Sequence, residues 1–353
     1  MSAQPLRGLR VVEMLGLGPA PFACMLLADL GAEVVPVCRP GAPNPALVRN
    51  RNPLELDLKD PRSRARVREL IEAADVVVEG FRPGVMERLG LGPDDVHAEE
   101  SGLVYARMTG WGQTGPLADT AGHDLTYIAV TGALHLATRA GTAPVPPANL
   151  LGDFGGGAMY LVTSVLAALH ERERTGRGAV LDIAIVDGTT YLTSMQHEYR
   201  ARGTWSDEPG TNRLDTGAPY YDVYVCADGK YVAVAALEPL FFEALLEVLD
   251  LDPELAHGRE DPENWPMLRR VIGDTIGRRS RDEWARRAQQ TDACLAPVLD
   301  LSEAPAHPHI AHREVLVATS EGAWTPRIPL GFSKSGADTV AVADRWGASC
   351  DGH

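Results

Sequence analysis

Short runs rich in β-branched residues recur along the first 110 residues, each separated from the next by an amphipathic stretch. This rhythm constrains the fold more than any single motif. LRVVEML is followed by PFACMLLADLG and then AEVVPV, and RSRARVRELIEAA leads on to ADVVVE and SGLVYARMTG. Strands alternating with helical patterns predict βαβ units and one parallel sheet. Gly31 falls where a helix ending at Leu30 needs its C′ residue, and Arg62 to Ala74 spaces its apolar residues for one buried helix face. The N-terminal half is therefore expected to be Rossmann-like.

Between Gly110 and Asp153 the chain turns irregular, with GWGQTGP, AGHDLTY and APVPPANLLGD in succession. Loops of this kind on a rigid scaffold are where sites are built. GGGAMYLVTSVLAALHERERTG then reads as a long helix ending at Gly176, AVLDIAIVDG as a buried strand, and TTYLTSMQHEYRA as a further helix. Near Tyr220 the character changes. YDVYVCADGKYVAVAAL holds two alternating runs joined by a turn, an antiparallel hairpin signal, and three helical patterns follow it. At about 150 residues per domain, 353 residues make about two. The expected division is a large Rossmann-like domain of 1–219 and 317–353, whose tail packs back on it, and a small α+β domain of 220–316.

With 33 basic and 48 acidic residues the net charge is −15, a field that repels phosphate backbones and anionic membranes. No nucleic-acid or membrane partner is expected. The most apolar stretch, Ala158 to Leu169, reads as too short for a bilayer span, and the first residues lack a signal-peptide pattern. Cys24, Cys38, Cys226, Cys294 and Cys350 are odd in number and far apart, which suggests neither a disulfide framework nor a zinc site and fits a reducing cytoplasm.

Gly16, Gly18 and the following Pro-Ala-Pro resemble the start of a dinucleotide fingerprint, but Pro21 holds the third glycine position and VVPVCRP offers no acid for a ribose. A tight turn with prolines opening a helix is the plainer reading. His307, His309 and His312 read as a surface loop rather than a metal site. Neither a G-x-S-x-G elbow nor a P-loop is present. What remains is Gly122-His123-Asp124 in one loop and Asn149 to Gly157, NLLGDFGGG, in another. Asp153 there reads either as a helix cap or as a reactive carboxylate. Three glycines after it would weaken a helix start, yet they would let a ligand approach backbone N–H groups near Gly155 at a positive helix end.

Together with LLADLGAEVV, LELDLKDP, ADVVVEGFRPGVMERLGLGP, YARMTGWGQTGP, GAPYYDVYVCADGKYVAV and TDACLAPVL, these segments resemble, from about Leu6 to Leu316, the family III CoA-transferase (CaiB/BaiF) superfamily, in its alpha-methylacyl-CoA racemase branch. The resemblance implies an interlocked homodimer of this two-domain α/β architecture with an acyl-CoA substrate, no metal, and no cofactor beyond the CoA moiety. It assigns His123 and Asp153 as catalytic groups, with Glu238 pairing with the histidine. CoA would be held by Arg39, by Leu56, Asp57, Leu58 and Lys59, by Arg82 and Arg88, and by Gly122, Asp124, Leu125, Thr126 and Tyr127. A thioester α-proton is weakly acidic, so epimerisation needs a base on each face of a planar enolate, the reaction implied here for 2-methylacyl-CoA thioesters.

The chain departs from the branch in places. Val35-Pro36-Val37-Cys38-Arg39-Pro40 lacks an acid that is usual there, and Asn50-Arg51-Asn52-Pro53 replaces a basic stretch, with Arg49 and Arg51 as substitutes. Thr126 stands for a usual Asn, and Arg213 and Thr216 for Met and Gly. A guanidinium on the acyl surface would favour a polar or anionic acyl group. Three alternatives stay open: CoA transfer with Asp153 as nucleophile, another enolate isomerisation or elimination, and a catalytically silent acyl-CoA-binding protein.

Overall fold

The computed structural model of the chain describes residues 4–41, 47–49, 51–98, 100–319 and 322–329. Asn50, Cys350 and the part of the expected tail from 330 onward lie outside the described residues. The described residues fall into two compact units. One draws on Met1–Ala133, Pro147–Thr193 and Pro308–His353, the other on Leu134–Pro146 and Ser194–His307.

The first unit is built on a six-stranded parallel sheet: β1 (Arg10–Met14), β2 (Glu33–Cys38), β3 (Leu54–Glu55), β4 (Val76–Glu79), β5 (Val104–Thr109) and β6 (Ala179–Ala184), in the order β3-β2-β1-β4-β5-β6. Alternate side chains leave opposite faces of a strand. Val11, Val76, Val78, Val104 and Ala106 accordingly join one core with α1 (Pro19–Asp29) and the long helix that follows Asp153. Val12, Val77 and Tyr105 join the other with Val67 and Ile71 of α2 (Pro61–Glu72) and Met86 of α3 (Val85–Arg88). β6 was expected to be fully buried. It is an edge strand instead, and its exposed and covered residues alternate until its last two.

Two short helices follow β5, α4 (Asp124–Val130) and α5 (Ala133–Leu136). The long helix begins earlier than its sequence suggests. Leu150–Ala158 forms wide π-helical turns, in which the Met159 N–H reaches back to the Phe154 carbonyl, and runs directly into α6 (Met159–Thr175). The result is one continuous helix of 26 residues, Leu150–Thr175, apolar and long enough on those grounds alone to cross a membrane. The expectation of a stretch too short for a span is corrected in length. Leu161, Val162 and Val165 bury this helix against the sheet core. The continuation after β6 is broken at Thr193 into α7 (Ile185–Leu192) and α8 (Ser194–Ala201).

The second unit carries the expected hairpin, β7 (Tyr221–Val225) and β8 (Tyr231–Ala235), extended by β9 (Leu295–Pro297) into an antiparallel sheet. Helices α9 (Pro239–Val248), α10 (Trp265–Ile276) and α11 (Arg281–Ala288) cover it, with Tyr220, Phe242, Trp265 and Trp284 at its core. It reaches outside 220–316 because of buried polar contacts. Asp222 takes an Arg139 N–H at 2.5 Å and pairs with Arg269, which also donates to the Thr216 and Gly217 carbonyls at 2.6 and 2.7 Å, so 134–146 and the 194–219 stretch belong with the hairpin. Residues 308–316 go instead with the first unit, where α12 (Pro308–His312) leads to the antiparallel pair β10 (Leu316–Ala318) and β11 (Trp324–Pro326), and Ile328 packs on the main core.

Candidate active site

In an open parallel sheet, ligands bind outside the carboxyl ends of the strands where the strand order reverses. Here that point lies between β1 and β4. The turn after β1 ends in Gly18, which caps α1 at φ 72° with Pro19 opening the helix. This is the plain helix-opening turn of the two sequence readings. It also has a second use, because a Cβ on Gly18 would stand 3.3 Å from Oδ2 of Asp153. Asp153 therefore lies at the switch point.

Asp153 is not a cap. It sits in the first turn of the π-helical segment, beside Phe154, which stacks on Phe22 of α1 with ring centroids 4.5 Å apart. The Asn149 side-chain amide donates to Asp153 Oδ2 at 3.4 Å. His123 is the residue that opens α4, and the Thr126 hydroxyl closes that turn by accepting the His123 N–H at 3.0 Å and donating to its carbonyl at 2.8 Å. Thr126, a departure at the sequence level, thus fixes the backbone that presents His123.

Burial raises the Asp153 carboxyl above the ordinary carboxylate range, and the neighbouring Asp124 charge adds to it. The Asn149 bond and the charge of His123 act in the opposite direction. His123 and Asp153 therefore share one electrostatic site. Tyr127 belongs to it too: burial first, then Asp153, raises its phenol, while Arg82 opposes. Its ring is wedged where only glycine fits, since a Cβ on Gly110 or Gly122 would fall 2.0 or 2.4 Å from it, and Trp111 meets it edge-on at 4.9 Å. A carboxyl raised above its ordinary range and an exposed imidazole whose charge reaches it can each take or give a proton.

The glycines after Asp153 serve packing rather than an open helix end. A Cβ on Gly156 would lie 2.2 Å from the Thr189 hydroxyl, and one on Gly188 would lie 1.9 Å from the Gly156 carbonyl, so the π-helical segment and α7 cross at backbone contact. The expected anion-binding terminus near Gly155 is corrected, because Gly155 is inside a continuous helix.

Of the positions assigned to CoA, Arg39, Asp57, Lys59, Arg82, Arg88, Leu125 and Thr126 are exposed, and Gly122 and Tyr127 are half-buried. Leu56 and Leu58 instead turn to the core beside α2. The Asp124 side chain is buried and points at the Asp153 backbone. Arg49 and Arg51 do not face a ligand: Arg49 bonds Asp29 at 2.5 Å, and Arg51 pairs with the fully buried Glu13 and bonds the Pro21 carbonyl. Arg213 pairs with Glu260 in the second unit, a carboxylate it shares with Arg259. Glu238 is also in that unit, at the N-cap of α9, and Arg259 bonds the two carbonyls before it, those of Ala236 at 3.2 Å and Leu237 at 2.7 Å. Among the described residues no cluster of three metal-ligating side chains exists, and His309 and His312 are exposed on the short helix α12.

Asn149, Gly18 and Trp111 all lie in segments singled out in the sequence, but without a role at this site. Asn149 is legible there as an amide four residues before Asp153. Gly18 and Trp111 are brought to the site only by the fold.

The six-stranded parallel sheet with its flanking helices defines an α/β protein, with the Asp153 carboxyl at the point where its strand order reverses. The model of CoA-transferase family III matches residues 6–343, and the chain belongs to that family. It is 42% identical over 323 residues to Alpha-methylacyl-CoA racemase of Mus musculus, and 41% identical over 324 residues to Alpha-methylacyl-CoA racemase of Homo sapiens, each match covering 91% of this chain and 85% of the relative. The crystal structure of a CAIB/BAIF family protein from Brucella suis superposes with a TM-score of 0.78 over 93% of both chains at 26% identity.

Proposed function

We propose that the chain interconverts the epimers of 2-methylacyl-CoA thioesters, His123 and Asp153 acting as the two bases. One takes the α-proton, its C–H pair passes into the enolate, and the other returns a proton to the opposite face. The observation that carries this reading is the placement of the Asp153 carboxyl against Gly18 at the switch point, with the Asp153 backbone N–H bonded to Asp124 of the helix that His123 opens. A carboxylate whose pKa is raised is the stronger base toward a weakly acidic proton. The same reading assigns Arg39, Arg82 and Arg88 to the CoA phosphates. It needs no cofactor beyond the CoA moiety, and a cytoplasmic location is proposed with it on the far-apart cysteines.

A homodimer is part of the proposal. Met159 and Leu166 on α6 and Tyr191 and Leu192 on α7 are exposed, the last two at 70% and 44%, which leaves an apolar face for a second copy. Light scattering on the purified protein should return a dimer mass.

The decisive experiment incubates a single epimer of a short 2-methylacyl-CoA in deuterated water and follows the α-proton by NMR, with His123→Ala and Asp153→Ala beside the wild type. Exchange with inversion, lost in both variants, is the expected result. Exchange without inversion would replace epimerisation by another enolate reaction. A second reading, CoA transfer through an acyl-Asp153 anhydride, draws on the Asn149 amide that orients the carboxylate. It predicts ping-pong passage of CoA to a free carboxylate and no α-proton exchange.

A further inference from the structure

Asp124, the first residue of α4, is 5% exposed. Its Oδ2 accepts the Asp153 backbone N–H at 2.7 Å, whereas its Oδ1 is buried with no hydrogen-bond partner among the described residues. Gly152 is pressed on this carboxylate: a Cβ there would stand 2.6 Å from Oδ2 and 2.9 Å from Cγ2 of Ile128. A carboxylate is an expensive acceptor for one amide, because its second oxygen is also taken from water. A serine or asparagine could cap that N–H without bringing a charge.

We propose that Asp124 is a positioning residue for the proton transfer: its buried carboxylate ties the Asp153 main chain to the helix that His123 opens, and so sets how the two bases stand to one another. The inference rests on the two-base reading. The neighbouring residues agree with it, since His123, which opens the same helix, and Asn149, before the π-helical segment, are the other polar groups acting on Asp153, and Asp153 acts in turn on Tyr127 of that helix. Besides holding the backbone, the Asp124 charge disfavours ionisation of Asp153 and keeps its carboxyl raised. One side chain thereby serves both the geometry and the basicity of the site.

Two variants test it. Asp124→Asn retains an oxygen for the Asp153 N–H and removes the charge, and Asp124→Ala removes both. The Asp153 carboxyl is followed by ¹³C NMR titration without substrate, its resonance identified by its loss in Asp153→Asn, and the α-proton exchange rate is measured against pH. In Asp124→Asn the Asp153 titration and the acid limb of the rate profile should move together to lower pH, with KM for the acyl-CoA held. In Asp124→Ala, kcat should fall about 10²-fold, the scale expected of a misplaced catalytic group, and amide exchange at Asp153 should accelerate. An Asp153 titration that stays in place in Asp124→Asn overturns the proposal, as does a kcat loss in both variants with an unmoved pH profile. The titration is read without substrate, so a wild type inert toward every acyl-CoA would sink the two-base reading while a moved titration still supported the coupling.

Discussion

Gly188→Ala tests whether the glycines near Asp153 exist for packing. The added methyl would stand 1.9 Å from the Gly156 carbonyl oxygen and 2.8 Å from the Tyr160 ring. Ordinary contact is about 3.5 Å, so the backbones must part by more than 1 Å. A carbonyl inside a helix cannot swing aside as a side-chain tip can. Overpacking typically costs about 1–3 kcal/mol, and a clash with main chain belongs at the top of that range. Replacing a mid-helix glycine by alanine returns about 1 kcal/mol. The net expectation is about 2 kcal/mol of destabilisation, or roughly 4–8 °C in melting temperature for a unit of this size. Gly155→Ala is the control: its methyl would meet the Leu150 carbonyl at 3.2 Å and the mobile end of Leu192 at 3.5 Å, so it should sit close to wild type. Calorimetry on the three proteins gives the comparison. Gly188→Ala melting at or above wild type would refute the crossing as the reason for glycine there and restore ligand approach as the explanation.

The buried Glu13 sets a pH dependence of stability. Burial outweighs the pull of Arg51 and raises its carboxyl from an ordinary 4.5 to about 7. The folded state then holds the proton more tightly than the unfolded chain, so this contribution is full below about pH 4.5 and is lost as the pH rises to about 7. In urea denaturation, Glu13→Gln should therefore gain on wild type between pH 5 and 7, whatever constant cost the lost Arg51 pairing adds; a wild type that gains instead contradicts it. Arg82, exposed after β4 and acting on Tyr127, should be a phosphate contact for CoA. Arg82→Ala is expected to raise KM about tenfold with kcat held, the scale of one lost charged hydrogen bond, and an unchanged KM would remove it from the CoA site.

The sheet was readable because its signal is local. β1, β2, β4 and β5 are short β-branched runs that need no information from elsewhere in the chain, whereas β3, only Leu54–Glu55, carries no such run. His123 and Asp153 were readable as motif positions, but how they are held was not. The π-helical turns form where Gly156 meets Gly188 and Thr189, some 30 residues later, so NLLGDFGGG alone looked like a loop ahead of a helix. Arg51 looked available to a phosphate because surface is the usual place for arginine. Only the fold sets it against Glu13, 38 positions earlier. The second unit overran its expected start for the same kind of reason, since the Arg139 to Asp222 bond spans 83 positions.

The two strands flanking the switch point each end in a buried acid clamped by an arginine. Glu13, next to the end of β1, pairs with Arg51, which also bonds the Pro21 carbonyl in the first turn of α1. Glu79, the last residue of β4, takes Arg107 Nε at 2.9 Å on one oxygen and the Phe81 N–H at 2.8 Å on the other, while Arg107 reaches on to Glu87 of α3. Buried pairs of this kind are weak contributors to net stability, because desolvation offsets most of their attraction. Their effect here is geometric. One fixes the start of α1, against which Gly18 and Phe22 meet Asp153 and Phe154; the other fixes the turn that carries Arg82. Proton exchange at one carbon gains most from groups already in place before charge develops. A frame of buried acid–arginine pairs beneath the loops, with Asp124 joining the π-helical segment to α4, supplies that fixity around Asp153.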